Sequence, residues 1–343
     1  MKKIFIMLFL GAGAFAAAQT PFADCFFDKT MRFDYYHAGD SRSEEYFFDA
    51  LKEEPYWAGS KVSLVDTTGY GNQFFRIVDR VSGREIYSRG FCTLFNEWQS
   101  TPEADSVRRS YPESVVFPYP KRPCRIEIFT RNGKGRFEKR FSQNIDPDSY
   151  FIERFTPRCE TFEVMYSGNS AQRVDIVLLP EGYGAGERAK FESACRTFAD
   201  EFFSYSPYKE NAARFNVRAV WTPSDDSGVT IPGENVWRKT ACGASFYTFD
   251  SERYRWLPTS SVCATWRRMC LTIISMCFRT PRNTVAAGFS TFTASAPRTT
   301  PRAPEKSMST SSAICCWGWA TNMSARPPMT TCTRKISNRG NPT

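Results

Sequence analysis

The chemistry of this chain changes abruptly near Tyr254, and the change limits which part of it can fold as an ordinary globular protein. From Trp256 to Thr343 the chain has eleven Lys and Arg residues against one acid, Glu305, and six of its twelve cysteines. The whole chain has 45 basic and 36 acidic residues, so the 255 residues before Trp256 have 34 and 35 and are almost neutral. A basic excess is typical of nucleic-acid-binding proteins. Because this excess lies wholly in the tail, we expect no nucleic-acid partner.

The tail itself has a mixed composition. Its Thr, Arg and Pro bias predicts disorder, yet it includes the apolar run Ile314–Trp319, which a solvated segment does not need. We therefore interpret residues 256–343 as an anomalous, disordered tail that follows a normal body.

The N-terminus has the pattern of a secretory signal peptide. Lys2 and Lys3 precede an apolar run from Ile4 to Leu10, and small residues continue to Ala18. This order predicts a signal peptide over residues 1–18. The apolar run is short for a membrane span, so we expect a secreted or periplasmic protein whose mature chain has no transmembrane segment.

Histidine and cysteine usage narrows the possible chemistry. The chain has a single histidine, His37, whereas a zinc site or a Ser-His-Asp site normally needs at least one and usually more. The six cysteines before the tail are widely spaced and match no metal motif. Cys195 lies on an apolar helix face, which indicates a buried free thiol.

Strand patterns dominate residues 19–148. Alternating apolar and polar residues, separated by Thr-Gly, Ser-Gly and Asn-Gly turns, predict strands in five segments: Lys61–Asp66, Phe75–Val81, Ile86–Arg89, Cys124–Arg131 and Arg136–Phe141. The turns favour antiparallel pairing and predict an N-terminal β-sandwich.

The pattern changes after the Asp146–Asp148 turn. The apolar run Val174–Leu179 predicts a strand that is covered on both faces. A helix should follow, because apolar residues from Phe191 to Phe202 recur on one helical face. Phe215–Trp221 predicts the next strand, and this strand–helix–strand order indicates an α/β unit with a parallel pair.

Several ordered segments are similar to one known protein family. In the second half of the chain they are Val174–Tyr183, Phe202–Tyr208, Phe215–Val220, Ile231–Trp237 and Phe246–Tyr254. In the first half they are Phe27–Tyr36, Tyr87–Phe91 and Glu97–Trp98. From about Thr20 to Tyr254 the chain thus resembles the bacterial IgA-peptidase family of secreted zinc metallopeptidases, and its first half resembles the N-terminal domain of that family.

The resemblance implies a zincin-like catalytic domain that begins near residue 160 and hydrolyses a protein or glycoprotein substrate. Its catalytic helix should carry an HExxH motif, in which two histidines hold zinc and the glutamate polarises the bound water. No such motif follows Tyr254, since the tail has no histidine and one glutamate. The resemblance thus implies zinc in the intact family and none bound by this chain.

A shifted reading frame would account for the missing motif; the alternative is a real basic tail that decodes by coincidence. When the third base of each tail codon is joined to the first two bases of the next, some products are forced: Met269–Cys270 gives Val, and Cys315–Ala320 gives Leu-Leu-Gly-x-Gly. From Met308 to Met323 the junctions permit V-H-E-F-G-H-L-L-L-G-L-G-D-E-Y. We therefore predict a one-base loss or its equivalent at Tyr254–Trp256, which makes the later basic residues and the stop after Thr343 accidental.

Four residues outside the tail are candidates for a site, and each has a simpler explanation. Glu181 follows a strand, where an acid could serve an α/β site, but a turn or cap residue is the favoured interpretation. Asp225 and Asp226 could bind a cation or form a solvated turn. His37 is interpreted as structural or surface-exposed. We assign no catalytic, cofactor-binding or metal-ligating residue to this chain.

These observations predict an α+β chain that combines an N-terminal antiparallel β-sandwich with a truncated α/β zincin-like domain. The predicted segments are 1–18, 19–148, 160–255 and 256–343. The main hypothesis is an inactive fragment of a secreted zinc metallopeptidase. The alternative is a secreted β-sandwich module that binds a host glycan or protein through Trp57, Trp98, Tyr35 or Tyr36, although core packing is the simpler role for these rings. In a truncated domain, the helix face from Phe191 to Phe202 should be partly uncovered.

Overall fold

The computed structural model describes residues 21–57, 59–154, 160–247, 255–256, 274–279 and 293–296. The α+β prediction is confirmed, because antiparallel sheets in the first half are followed by a mixed, largely parallel sheet with a covering helix. Each half has a hydrophobic core of its own.

The first half is a sandwich of two four-stranded sheets. One sheet has the order β5-β1-β2-β8 and the other β4-β3-β6-β7, and all pairings are antiparallel except β2 with β8. The strands are β1 Phe26–Gly39, β2 Glu44–Glu54, β3 Gln73–Asp79, β4 Glu85–Phe91, β5 Arg109–Pro120, β6 Cys124–Arg131, β7 Phe137–Ile145 and β8 Glu153–Arg154. Short helices α1 Phe22–Cys25 and α2 Leu94–Trp98 and a 3₁₀ turn at Pro102–Asp105 accompany them.

The sandwich core follows from the period of two in each strand. In β1, Met31, Phe33 and Tyr35 point into the space between the sheets, and Ile126 and Ile128 of β6 meet them from the other side. Ile152, just before β8, belongs to the same core, so the described sandwich continues to Arg154.

One predicted strand is wrong. The segment Lys61–Asp66 forms no strand, although its residues alternate. Leu64 is buried in the sandwich core, and its carbonyl oxygen accepts a 3.0 Å hydrogen bond from the backbone N–H of Ser88. The segment is therefore irregular, and Leu64 is the residue that attaches it to the core. The other four predicted segments correspond to β3, β4, β6 and β7 within a few residues.

The second half is built on a five-stranded sheet with the order β15-β14-β10-β11-β9. Its strands are β9 Glu160–Met165, β10 Val174–Glu181, β11 Phe215–Trp221, β14 Ile274–Arg279 and β15 Thr293–Ala296, and α3 Arg188–Phe202 joins β10 to β11. A two-stranded ribbon pairs β12 Ser245–Phe246 with β13 Arg255–Trp256. Short 3₁₀ turns lie at Ser170–Gln172, Ala185–Glu187, Ala212–Arg214 and Pro232–Glu234.

The predicted parallel pair is confirmed, and the sheet around it is larger than predicted. β10 pairs in parallel with β11 on one side and with β14 on the other, while β9 adds an antiparallel edge next to β11. Thus β14 and β15 lie within the segment 256–343 that was predicted to be disordered. The other residues of that segment, except Trp256 in β13, lie outside the described part of the chain.

Helix α3 covers one face of this sheet, and its burial corrects one expectation. Phe191 and Phe202 are buried, and only Phe198 is partly exposed. Phe191 packs against Tyr183, with ring centroids 5.2 Å apart, and against Trp221 at 5.7 Å. These contacts come from the turn after β10 and from β11, and they cover part of the inward face of the helix.

The cysteines provide a chemical test of this packing. Among the described residues, the thiols of Cys124, Cys195 and Cys242 are buried, whereas that of Cys92 is exposed. Burial raises the pKa of Cys124 to about 12 and raises that of Cys195 as well. Because the thiolate is the reactive form, iodoacetamide is expected to modify Cys92 in the native chain and to spare the buried three.

Mass spectrometry of peptides from native and urea-unfolded samples would check this expectation. All four thiols should react in urea. Modification of Cys195 in the native chain at the rate of Cys92 would contradict the packing of α3 described above.

Candidate functional site

The most constrained turn in the second half lies where β10 ends, at Pro180–Gly184. Glu181 is fully buried there, and its carboxylate accepts three hydrogen bonds from one loop. The hydroxyl of Thr240 donates to Oε1 at 2.6 Å, the backbone N–H of Ala244 donates to Oε1 at 2.8 Å, and that of Cys242 donates to Oε2 at 2.9 Å. Glu181 is therefore an internal anchor for the 240–244 loop and neither a turn surface residue nor a helix cap.

Glycine is required beside this anchor. Gly182 has φ of +71°, and a Cβ at this position would lie 1.9 Å from the carbonyl oxygen of Gly228. Gly228 in turn donates its N–H to the carbonyl oxygen of Gly182 at 2.9 Å, and Ser224 donates its N–H to Tyr183 O at 2.7 Å. The turn after β10 is thus joined to the 224–228 loop as well as to the 240–244 loop.

Asp225 and Asp226 lie in that second loop, as predicted for a turn. Asp225 forms a 2.7 Å ion pair with Lys239, and Asp226 accepts a 2.7 Å hydrogen bond from the backbone N–H of the same lysine. In the part of the chain that the structure describes, no group of three or more His, Cys, Asp or Glu side chains is arranged to hold a metal ion. The pair of aspartates is engaged in closing the loop.

His37 lies in the sandwich and is completely buried, so the surface-exposed interpretation is wrong and the structural one applies. Its Nδ1 lies 3.2 Å from Oε2 of Glu113 on β5, and its Nε2 lies 3.1 Å from Oε2 of Glu44 on β2. The imidazole ring is stacked on Tyr46, with centroids 4.2 Å apart, and contacts Phe95 at 3.9 Å.

The geometry around His37 favours a charged ring. Each ring nitrogen lies within hydrogen-bond distance of a carboxylate oxygen, and only an imidazolium donates from both nitrogens. Burial opposes that charge, but the hydrogen bonds to Glu113 and Glu44 outweigh it and raise the pKa of His37 above 6.5. His37 thereby connects β1 to both neighbouring strands.

This cluster extends into a network that crosses between the two sheets. The hydroxyl of Tyr46 donates to Gln73 Oε1 at 2.9 Å, and the amide of Gln73 donates to Asn96 Oδ1 at 3.0 Å. Tyr35 donates its hydroxyl to Glu113 at 2.8 Å, and burial raises its pKa well above its usual value. These hydrogen bonds join buried side chains of both sheets, so the network connects the two layers of the sandwich.

The aromatic residues suggested as an exposed binding surface are mostly core residues. Trp57, Trp98 and Tyr35 are buried, and Trp98 donates its indole N–H to Glu103 at 2.8 Å. Only Tyr36 is exposed among the four. The core-packing interpretation therefore applies to the first three.

A buried polar cluster at the start of β10 was not predicted from the sequence. Asp175 accepts hydrogen bonds from Ser170 at 3.1 Å and from Asn216 at 2.9 Å. Burial raises its pKa above the usual value, and its Oδ2 has no hydrogen-bond partner in the described chain. The one available signal was an acid inside an otherwise apolar run, Val174–Leu179. Asp175 lies at the end of β10 opposite to Glu181, so the two acids do not form one site.

The described chain thus joins a sandwich to a mixed sheet that has one covering helix and an anchored turn at the end of β10. Comparison with known families identifies the class. Residues 21–142 match the family model described as the Peptidase M64 N-terminus, and residues 162–270 match the model described as IgA Peptidase M64. No curated protein matches this chain.

The chain belongs to the IgA-peptidase M64 family. The two matches follow one another in the order that the sequence analysis expected, and together they cover most of the described residues. Membership of a peptidase family implies a protein substrate. Within the described residues, the structure has no helix of the length and apolarity that a bilayer crossing needs.

Proposed function

We propose that this chain derives from a gene for a secreted, zinc-dependent M64 peptidase whose reading frame shifts near Tyr254–Trp256, and that the chain as given hydrolyses no peptide bond. The main support for the proposal is the position at which the match to the family model ends. It ends at residue 270, a short distance beyond the predicted break. The HExxH sequence that a zinc peptidase needs is absent from the printed frame and is permitted by the shifted frame of residues 308–323.

The residues present do not fit a family-type zinc site. Such a site needs two histidines one helical turn apart, and the only histidine of this chain is His37. Both of its ring nitrogens already contact carboxylates of the sandwich, Glu113 and Glu44. We therefore derive no catalytic step for this chain.

The signal-peptide pattern of residues 1–18 supports the secreted part of the proposal. Export would expose the chain to protein substrates outside the cell. The family description names IgA, but this name does not identify the substrate of this chain. The proposed substrate class is therefore protein in general.

Restoring the reading frame tests the proposal directly. The gene would be resequenced from codon 245 onward, and one base would be inserted at codon 255 to produce a second chain. We expect the restored chain to bind about one zinc ion per molecule and to cleave an unfolded protein substrate in a zinc-dependent manner. The chain as given should do neither.

A matched control separates chemistry from folding. In the restored chain, the glutamate of the decoded motif would be replaced with glutamine, which should keep zinc content and abolish cleavage, since this side chain polarises the attacking water. Zinc content by elemental analysis and cleavage by mass spectrometry would be the readouts. Chelator-sensitive cleavage by the chain as given, or a restored chain without zinc, would contradict the proposal.

A further inference from the structure

One outer face of the sandwich carries cations and aromatic rings in alternation. On the sheet β4-β3-β6-β7, the residues between the core positions point to solvent, because neighbouring side chains of a strand face opposite sides. We define this surface as the basic aromatic face, formed by Phe74, Arg76, Arg125, Phe129, Phe137 and Lys139. Their alternating neighbours, such as Phe75, Ile126 and Ile128, are in the core.

Positive charge exceeds negative charge on this face. Glu127 is contacted by Arg76 at 2.7 Å, by Arg125 at 3.0 Å and by Lys139 at 3.4 Å. Arg76 also pairs with Glu85 at 3.7 Å, so three cations stand against two carboxylates. These three side chains remain 38%, 42% and 52% exposed, whereas that of Glu127 is 1% exposed. The carboxylate of Glu127 is hidden beneath the cations and that of Glu85 is 27% exposed, so cations make up most of the charged surface that solvent meets.

Arg131 adds a further positive charge at the edge of the face. Its guanidinium donates to the carbonyl oxygens of Gly69, Gly71 and Gly135, at 2.5, 3.1 and 2.7 Å. These bonds fix the group above the ring of Phe137, 4.2 Å from its centroid.

The rings form a half-buried platform between the cations. Phe74 lies between Phe129 and Phe137, with centroids 5.9 and 5.3 Å away. Arg76 lies over Phe129 at 5.2 Å. Rings held in this way offer apolar area that is already ordered, so binding to them costs little side-chain entropy.

We propose that the basic aromatic face binds an anionic polysaccharide. The ring surface that Arg76 and Arg131 leave uncovered can contact the C–H surfaces of sugar rings, and the guanidinium and ammonium groups can pair with carboxylate or sulfate groups along the chain. The face is an open sheet surface, which suits an extended polymer. This site does not depend on peptide hydrolysis, so it can be tested in the chain as given.

The arrangement of the charges favours a ligand-binding surface over a surface that serves only solubility. A surface that only needs solubility would mix both signs, with each cation near an acid of its own. Here Arg125 and Lys139 share the single carboxylate of Glu127, and Arg125 uses only its Nε for that bond. Its two Nη groups are not used in that bond and can serve a fork-shaped contact with an anion.

Binding to the full-length chain would be measured with four polymers: polygalacturonate as the carboxylate probe, dextran sulfate as the sulfate probe, neutral dextran, and a DNA duplex. We expect tight binding of one or both acidic polysaccharides, little binding of neutral dextran, and weaker binding of DNA. The variant Arg125→Gln/Lys139→Gln should lower affinity for the acidic polysaccharide about tenfold or more, because two charge-assisted contacts are lost. It keeps the 2.7 Å pair of Arg76 with Glu127, so the hidden carboxylate retains a partner.

Two further variants make the result specific. Arg42→Gln/Arg108→Gln removes the same charge from exposed positions near the other sheet and should leave affinity within about twofold. Phe129→Leu removes the stacking ring and should weaken polysaccharide binding while leaving any DNA binding unchanged. Lys139→Gln alone, at an exposed position, is the fallback if the double variant fails to fold by circular dichroism.

Three outcomes would overturn the proposal. The first is no binding of either acidic polysaccharide. The second is equal loss in the two charge-matched double variants, which would indicate net charge alone. The third is DNA binding as tight as polysaccharide binding with no effect of Phe129→Leu, which would indicate a non-specific basic patch.

Discussion

Replacing His37 with leucine is expected to destabilise the N-terminal sandwich by about 3–5 kcal/mol, the cost of removing one partner from a buried ion pair. His37 is fully buried, and Glu113 is 8% exposed. Leucine fills a similar volume but leaves this carboxylate and that of Glu44 without the donor between them. The loss is therefore electrostatic and does not arise from a cavity.

The same cluster predicts how stability depends on pH. His37 has a folded-state pKa above 6.5, so its stabilisation is complete below pH 6.5 and is lost as pH rises through that folded pKa. Burial opposes the charge of Glu44, but bonds to His37 and Thr130 and the charge of Arg140 lower its pKa below 4.5. Its contribution is present above pH 4.5 and is lost as pH falls through its folded pKa. The contribution of this pair should therefore be largest between pH 4.5 and 6.5.

The other titratable and aromatic groups around the His37 ring come from several different elements. Tyr46 and Glu44 come from β2, Tyr35 from β1 and Glu113 from β5. Phe95 of α2 closes one side, and Thr130 and Arg140, from β6 and β7, contact the Tyr46 hydroxyl and Glu44. The pKa values of Tyr35 and Tyr46 are raised by burial, so neither titrates below pH 10.

Urea unfolding of the full chain at several pH values, followed by peptide-resolved hydrogen exchange in β1, would measure these effects. His37→Leu should flatten the decline above pH 6.5. The triple variant His37→Leu/Glu44→Gln/Glu113→Gln should recover part of the lost stability, because no unpaired charge remains buried. Glu45→Gln, an exposed neighbour on β2, is the control. An unchanged pH profile in His37→Leu would refute the assignment of the imidazolium.

The sequence predicted those strands and helices whose residue pattern is compatible with one kind of element. The run Val174–Leu179 is apolar at nearly every position, and only a strand covered on both faces accommodates it. The face of α3 has the helical period, so its inward residues could be named in advance. Phe215–Trp221 was predicted with the bounds that the structure gives.

The polar contacts could not be predicted, because they join residues far apart in the chain. Glu113 lies 76 residues from His37, and no local pattern states that their strands are neighbours. Lys61–Asp66 failed for a related reason, since alternation does not reveal whether a partner strand exists to pair with. A lone acid in or after an apolar run, as at Asp175 and Glu181, is the one local sign that such a contact is present.

The second large effect is expected at Glu181. Glutamine has nearly the same shape but only one accepting oxygen, whereas the backbone N–H groups of Cys242 and Ala244 donate to different oxygens of Glu181. In either orientation of the amide, its NH₂ group faces one of these N–H groups. Glu181→Gln should therefore leave one buried amide unsatisfied, at about 1–3 kcal/mol, and Glu181→Ala should leave two, at about 2–6 kcal/mol.

Because these bonds belong to one loop, the cost should appear as local opening of residues 240–244 before the rest of the domain unfolds. Hydrogen exchange at the amides of Cys242 and Ala244 should accelerate about tenfold in Glu181→Gln and more in Glu181→Ala, while β10 and β11 keep their protection. Glu201→Gln makes the same chemical change at an exposed position of α3 and should leave the loop unaffected. Equal exchange in Glu181→Gln and Glu201→Gln would show that the carboxylate does not hold the loop, and Glu181 would then be free for another role at the end of β10.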